Sequence, residues 1–593
     1  MKKLLSGNEA IARGAWEFGV AVASAYPGTP STEILEEFAR MPNVYAEWAT
    51  NEKVSLDVAI GAAYAGRRAL CTMKHVGLNV AADAFFYAAM TGMEAGLVIV
   101  SADDPAMHSS QNEQDNRNFG KFARVPVVEP VDSQEAKELV GAALDISEQF
   151  DTPVLLRTTT RIAHSSSPVE LGDRKEGKPA LETYPRNFEK YVMLPVNARK
   201  RHPVIEERIR KLSEFAETFP FNRVEWGDRS LGIVTCGVAY QYAKDIFPDA
   251  SFLKLGMTYP IPPNLARDFA GKVDRLIVIE ELDPFLENEL KLLGLAAEGK
   301  SIFSGIGEMD PRVIREQAIA AKLLPESARK TYAAPDVGSL PGRPPVLCPG
   351  CPHRGFYVNT RKLKLPVNGD IGCYTLGALP PINSTETCGC MGASIGVAHG
   401  ADKAGSPERT VATIGDSTFF HTGMPALLNV AYNRGKTITA VLDNRITAMT
   451  GHQENPGTGM TLQGQPAKVI KFEPLLRALG MEHVETVNAF DLRAVEHALR
   501  EAVKRNEPSA LIVEGECALL PEARKKYLPL RVDQERCNGC GLCFRVGCPA
   551  LVKQPDGKAF IDPLLCTGCE ICAQTCGRKA ILFRSQMQQP SEA

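Results

Sequence analysis

Short unbroken apolar runs alternate along this chain with longer stretches of helical periodicity. Leu97-Val98-Ile99-Val100-Ser101 is too short for a helix and apolar on both faces, which predicts a buried parallel strand; Asp132 to Phe150 follows with helical spacing. The alternation resumes at Leu231–Thr235 and Leu276–Glu280, and again at Thr410–Thr413 and Ile438–Leu442. Two polar interruptions divide it. One runs from Ser165 to about Pro203; the other runs from Pro325 to Pro345, where Pro335, Pro341 and Pro344 exclude helix. Strand–helix alternation builds parallel sheets covered by helices. The pattern therefore predicts a multidomain α/β protein: units at 1–165, 226–324 and 346–527, a connection at 166–225, a linker at 325–345, and a separate tail at 528–593.

Composition adds boundaries. At 593 residues the chain exceeds what one core can organise. Hydrophobic residues make up 44% and charged residues 23%, as in ordinary globular proteins. A formal net charge of −3 gives no basic surface for nucleic acid. There is no apolar run of about eighteen residues, so no transmembrane helix and no membrane partner are expected. Met1 to Glu9 reaches Asn8 and Glu9 before an apolar core forms, unlike a secretory signal. A cytoplasmic, reducing location is expected.

Cysteine spacing changes the picture most. Of 16 cysteines, Cys537, Cys540, Cys543 and Cys548 form one run in the tail, and Cys566, Cys569, Cys572 and Cys576 form another. Each is a C-x2-C-x2-C triplet with a trailing cysteine, the ligand set of a two-cluster ferredoxin in which each trailing cysteine serves the other run's cluster. A zinc site would use paired ligands and leave the triplets without purpose, and a disulfide framework needs a secreted context. The tail is thus predicted to be an α+β ferredoxin domain with two [4Fe-4S] clusters, which carries single electrons. Cys543 and Cys548 are separated by four residues, where bacterial ferredoxins have three, and Gly577 follows Cys576 where proline is usual.

The third unit carries a second constellation. Ile414-Gly415-Asp416-Ser417 ends one predicted strand and Asp443-Asn444 ends the next. A carboxylate and an amide oxygen at the carboxyl ends of neighbouring parallel strands suit a hard divalent cation that shares its shell with a diphosphate. Taken singly, Gly-Asp and Asp-Asn are ordinary turn pairs. Together, in this order and at this spacing, they resemble the thiamine diphosphate motif, which opens Gly-Asp-Gly and closes Asn-Asn. Ser417 and Asp443 depart from it at positions that do not touch metal. By this resemblance Asp416 and Asn444 supply side-chain ligands to Mg²⁺, Ile446 supplies its carbonyl, and Gly415 lies beside the cofactor. Such a cofactor also needs a carboxylate on its aminopyrimidine ring. Glu52, in Glu47-Trp48-Ala49-Thr50-Asn51-Glu52 before a helix of small residues, is the candidate; the alternative is a helix N-terminal glutamate favoured by the dipole.

With these parts in place, the chain resembles the 2-oxoacid:ferredoxin oxidoreductases. Tyr26-Pro27-Gly28-Thr29-Pro30-Ser31 is similar to their Tyr-Pro-x-Thr-Pro-Ser signature, and Cys348-Pro349-Gly350-Cys351-Pro352-His353 to their Cys-Pro-Gly-Cys-Gly-His opening of the diphosphate domain. The order of parts is pyrimidine domain, transketolase-C-like domain, diphosphate domain and ferredoxin, as in the large subunit of those members that act on aryl 2-oxoacids. The resemblance implies oxidative decarboxylation of an aryl 2-oxoacid to its acyl-coenzyme A, with ferredoxin as electron acceptor and a smaller gamma-type (beta) subunit as partner. It places Thr29 against the substrate. His75, after a strand, and His421, five residues past Asp416, are auxiliary catalytic candidates; the alternative for each is a structural hydrogen bond. A non-catalytic electron-transfer subunit and a non-aromatic substrate remain the competing readings.

A further set stands outside the tail: Cys348, Cys351, Cys373 and Cys517. In relatives with a separate beta subunit a similarly placed set holds a [4Fe-4S] cluster near thiamine. The alternative is that Cys351 and Cys373 are small buried hydrophobes in a turn that shapes the cofactor pocket.

Overall fold

The computed structural model describes residues 1–177, 179–330, 338, 340, 344–524 and 527–587. The chain divides into two compact units, Met1–Asp336 and Val337–Ala593.

The first unit is built on a seven-stranded sheet whose order is Met257–Tyr259, Val127–Val128, Val154–Thr159, Leu97–Asp103, Ala69–Lys74, Val22–Ala25, Tyr45–Trp48. All neighbours are parallel except the Met257–Tyr259 edge. Ala69–Lys74 and Leu97–Asp103 are buried along their whole length, as parallel strands covered on both faces must be. The helix predicted from Asp132 runs Ser133–Phe150, with Asp132 as its N-cap accepting from Glu135 N at 2.9 Å. A second sheet orders Ala297–Glu298, Arg275–Ile279, Asp228–Thr235, Ala250–Lys254 and an antiparallel Arg223–Glu225.

Two features differ from the sequence pattern. Within the expected connection, Pro195–Ala216 is a 22-residue helix that holds Pro203. Ile205 and Leu212 bury its apolar stripe, and buried Arg208 donates to Asp151 O and Ala89 O, both at 2.8 Å. Tertiary contacts thus override a polar, proline-bearing composition. Met257–Tyr259, from the stretch expected as the second α/β unit, completes the first sheet by pairing with Val127–Val128.

Buried charges join the two sheets of this unit. Arg157 donates to Asp103 and to Glu129, each at 2.8 Å, while Arg117 pairs with Asp115 and reaches Glu280 at 2.7 Å. Fully buried, the guanidiniums hold the loop after Leu97–Asp103 against the second sheet.

The second unit carries a six-stranded, wholly parallel sheet: Thr387–Cys388, Val367–Gly369, Val411–Gly415, Ile438–Asp443, Ser509–Glu514, His483–Asn488. Its tail pairs Leu551–Lys553 with Ala559–Ile561, antiparallel, over a small core of Leu530, Ile561 and Ile581 that includes Cys543 and Cys572. Of the predicted linker, Pro325 precedes a short 3-10 turn, Glu326–Ala328, and Pro335 and Pro341 lie outside the described residues. Among the described residues no helix is long and apolar enough to cross a membrane.

Candidate active site

In the first unit, Asn51 ends the approach from the strand Tyr45–Trp48 and accepts from Val54 N at 2.9 Å, starting the helix Glu52–Tyr64 at Glu52. Glu52 is buried at 6% exposure. It faces the first turn of the helix His75–Thr91, close enough that a Cβ built on Gly77 would stand 2.7 Å from Glu52 Oε1. The carboxyl therefore occupies space that only a glycine leaves open.

The strand Ala69–Lys74 delivers His75 directly into that helix. His75 is fully buried; its Nε2 meets Asn112 Oδ1 at 3.1 Å, and its Nδ1 has no partner among the described residues. Burial, reinforced by Lys74, holds the imidazole below its usual range and so keeps it neutral. Thr29 O accepts from Ser109 Oγ at 3.5 Å. Lys74 Cβ stands 3.1 Å from where a side chain on Gly28 would begin, so the Tyr-Pro-x-Thr-Pro-Ser segment packs on Lys74.

Lys74 is a site residue that sequence reasoning passed over. It is buried, and its Nζ donates to Ser109 O at 2.6 Å. Burial pushes its pKa down to about 8, against the pull of Asp104. Asp104 in turn accepts from Ser109 N and Thr160 Oγ1, each at 2.8 Å, and so fixes the loop that covers the lysine. The available signal was a cation closing the otherwise uncharged run Leu70-Cys71-Thr72-Met73.

In the second unit, Asp416 follows Val411–Gly415 and Asn444 follows Ile438–Asp443, and these two strands are parallel neighbours. Both residues are buried. Ile446 N donates to Asp416 Oδ2 at 3.1 Å and to Asn444 Oδ1 at 3.4 Å, so one amide gathers the two oxygens. Burial and the neighbouring Asp443 carboxylate push Asp416 above the ordinary carboxylate range. A divalent cation relieves such crowding of buried carboxylates, so the donor set fits one. A Cβ on Gly415 would stand 2.5 Å from Tyr374 Cε1, which explains glycine there.

Asp370, also missed, accepts from Gly392 N at 2.8 Å and Ser394 N at 2.9 Å, holding the start of the helix Ala393–Lys403. His421 is buried in a single wide turn, Phe419–Gly423, with Nδ1 3.2 Å from Thr422 Oγ1.

The cysteines of this unit gather in three groups. Cys537, Cys540, Cys543 and Cys576 line one small cavity, and burial, with the neighbouring thiols, pushes Cys543 up to about 11. Cys548 stands with Cys566 and Cys569 around Cys572, whose thiol burial holds far above the usual range. Cys576 thus lies with the first run's triplet, and Cys548 packs with Cys569 of the second against Val546 and Ile571. Cys348 and Cys373 both act on Cys351, which burial pushes up to about 12, and Cys517 acts on Cys373. Among the described residues no trio of His, Cys, Asp or Glu closes on a single metal ion; a four-iron cube spreads its thiolates more widely than one ion does. The Cys348–Cys351 turn abuts the tail, for a Cβ on Gly350, at φ 73°, would stand 2.0 Å from Thr567 Oγ1. Buried Arg354 joins the same parts, donating to Cys348 O at 2.8 Å and to Gly547 O at 2.6 Å.

Comparison with known proteins follows these lines. Residues 370–513 match the C-terminal TPP-binding domain of thiamine pyrophosphate enzymes, and residues 13–212 match the thiamine diphosphate-binding domain of pyruvate flavodoxin/ferredoxin oxidoreductases. The chain is 42% identical to indolepyruvate oxidoreductase subunit IorA of Methanothermobacter marburgensis, over 97% of this chain and 96% of the relative. It is 41% identical to the IorA of Pyrococcus horikoshii, over 97% and 96%. A solved 2-oxoglutarate:ferredoxin oxidoreductase from Magnetococcus marinus aligns with 54% of this chain and 65% of its own at 17% identity and a TM-score of 0.45. Likeness at this level along nearly the full length of both IorA relatives carries the assignment: the chain belongs to the IorA family of indolepyruvate oxidoreductase subunits, within the thiamine diphosphate-dependent 2-oxoacid:ferredoxin oxidoreductases.

Proposed function

We propose that the chain is the large subunit of an oxidoreductase that converts an aryl 2-oxoacid and coenzyme A to acyl-coenzyme A, carbon dioxide, one proton and two electrons, the electrons leaving singly to ferredoxin. The observation that carries this reading is the pair Asp416 and Asn444, gathered by one amide at the ends of adjacent parallel strands inside the matched TPP-binding domain. Full-length likeness to IorA subunits supports the aryl substrate and a smaller second subunit of gamma type.

On this reading Asp416, Asn444 and the Ile446 carbonyl would hold Mg²⁺ at the diphosphate end of the cofactor, with Gly415 alongside. When bound, thiamine diphosphate supplies a nucleophilic ring carbon and an electron sink that allows carbon dioxide to leave. Glu52 would hold a proton at its carboxyl and exchange it with the pyrimidine ring. Neutral His75 and the spare donor of Lys74 orient the oxoacid beside Thr29, and His421 serves at the diphosphate half. The tail is a ferredoxin-like domain with one [4Fe-4S] cluster on Cys537, Cys540, Cys543 and Cys576 and another on Cys548, Cys566, Cys569 and Cys572. Cys348, Cys351, Cys373 and Cys517 hold a third; their mutual influence and the contact of Gly350 with Thr567 support it. The chain then reads as a pyrimidine domain, a transketolase-C-like domain, a diphosphate domain and the tail.

The test is a panel of 2-oxoacids given to anaerobically prepared protein, with and without the smaller subunit, together with thiamine and iron analysis. Dye reduction by indolepyruvate, with about twelve irons per chain falling in Cys351→Ala, is expected. Absence of bound thiamine, or turnover only with aliphatic oxoacids, overturns the respective part of the reading. About eight irons, unchanged in Cys351→Ala, removes the third cluster.

A further inference from the structure

In the second unit a cleft of about 1260 Å³ opens between the helices His353–Leu363 and Leu492–Lys504 and the cysteine-rich tail. Cys569 and Cys576 both line it, so each of the tail's two thiol groups reaches this one opening. Gln574 fastens the tail here: it donates to Phe490 O at 2.7 Å and accepts from Leu492 N at 3.0 Å. The cleft is therefore bounded by fixed elements.

Its lining is basic, although the chain as a whole has a net charge of −3. Arg361, Lys362, Arg493, Arg545, Lys579 and Arg584 face three carboxylates, those of Asp491, Glu496 and Glu570. Lys362 is paired with Glu496 at 2.7 Å and Arg584 with Glu570 at 3.1 Å. Arg493, Arg545 and Lys579 are exposed and make no ion pair among the described residues. They come from three separate segments: the helix Leu492–Lys504, the turn Leu542–Val546 and the loop after Cys576. A site for a small phosphorylated molecule would bring a buried cation or a row of backbone amides to one point. Exposed cations on separate segments instead form a positive surface, which steers an acidic macromolecule into place.

We propose that this cleft is the docking surface for a small acidic one-electron carrier protein, seated with its redox centre toward Cys569 and Cys576. The inference rests on the reading of the tail as the electron exit. Each encounter oxidises the chain by one equivalent and reduces the carrier by one, so two encounters accept the two electrons released per oxoacid.

The test uses the complete enzyme, loaded and anaerobic, with an acidic two-cluster ferredoxin as probe. Arg493→Glu alone and the triple variant Arg493→Glu/Arg545→Glu/Lys579→Glu are compared with the parent. Calorimetric Kd and the KM for ferredoxin are expected to rise about tenfold or more in the triple variant and less in the single one. The fall of kcat/KM with added salt should be steep in the parent and shallow in the triple variant. Reduction of methyl viologen, which needs no docking surface, should be unchanged, with iron content and cluster spectra as in the parent. Parental ferredoxin Kd and salt dependence in the triple variant would overturn the proposal. So would stoichiometric binding of coenzyme A that displaces ferredoxin and is lost in Arg493→Glu, which marks a small-anion site. Failure of the parent itself to reduce methyl viologen with any 2-oxoacid would instead bring down the functional reading beneath it.

Discussion

Gly77→Ala tests the placement of Glu52 without touching its chemistry. The added Cβ would lie 2.7 Å from Glu52 Oε1 and 2.8 Å from its Cγ, whereas ordinary contact begins at 3.4 Å, so the glutamate must retreat by at least 0.7 Å. Overpacking of this kind costs about 1–3 kcal/mol, and replacing glycine in a helix returns up to about 1 kcal/mol, which leaves a net loss on the order of 1 kcal/mol. Activity should suffer far more, because a proton-transferring group displaced by nearly 1 Å loses on the order of a hundredfold in rate. Glu52→Gln is the companion: it keeps the volume, so stability and thiamine diphosphate binding should hold while decarboxylation falls about a hundredfold or more. The assay is dye-linked oxoacid oxidation at saturating cofactor, beside calorimetric cofactor binding and thermal unfolding. Turnover of Gly77→Ala within about threefold of the parent, with unfolding unchanged, would refute the reasoning, since neither the contact nor the role would then be real.

Two other outcomes follow from the same geometry. Asp416→Ala should abolish Mg²⁺-dependent thiamine diphosphate binding by calorimetry; retained tight binding would show that the cation sits elsewhere. Lys74 titrates near 8 in the folded chain against 10.5 when exposed, so between these pH values the unfolded chain holds more protons and stability rises with pH. Lys74→Met removes that rise, worth on the order of 3 kcal/mol across the window. The variant's advantage in unfolding temperature should therefore shrink as pH climbs from 8 to 10.5, and a pH-independent gap would rule out a buried, easily deprotonated lysine.

The sequence alone determined whatever local spacing encodes. Leu97–Ser101 and Ile438–Leu442 read as strands because each is a short, largely apolar run rich in β-branched residues, and both are buried strands in the structure. The helical spacing from Asp132 to Phe150 announced a helix, and the structure adds Asp132 as its cap. The cysteine triplets and the Asp416–Asn444 pair were legible because their chemistry fixes their intervals along the chain. Only the tertiary structure decided what depends on residues far apart meeting. Met257–Tyr259 completes a sheet it does not adjoin in sequence, and Pro195–Ala216 becomes a helix because Arg208, Ile205 and Leu212 find burial against distant segments. Lys74 reads as an ordinary lysine until the Ser109 loop closes over it, and Asp370 as an ordinary acid until Gly392 and Ser394 turn their amides toward it. The basic cleft is invisible in a chain with more acid than base, since its free cations come from three segments. Periodicity reports the burial of each segment against an unspecified partner; the identity of that partner, and with it every contact across the fold, is set by packing.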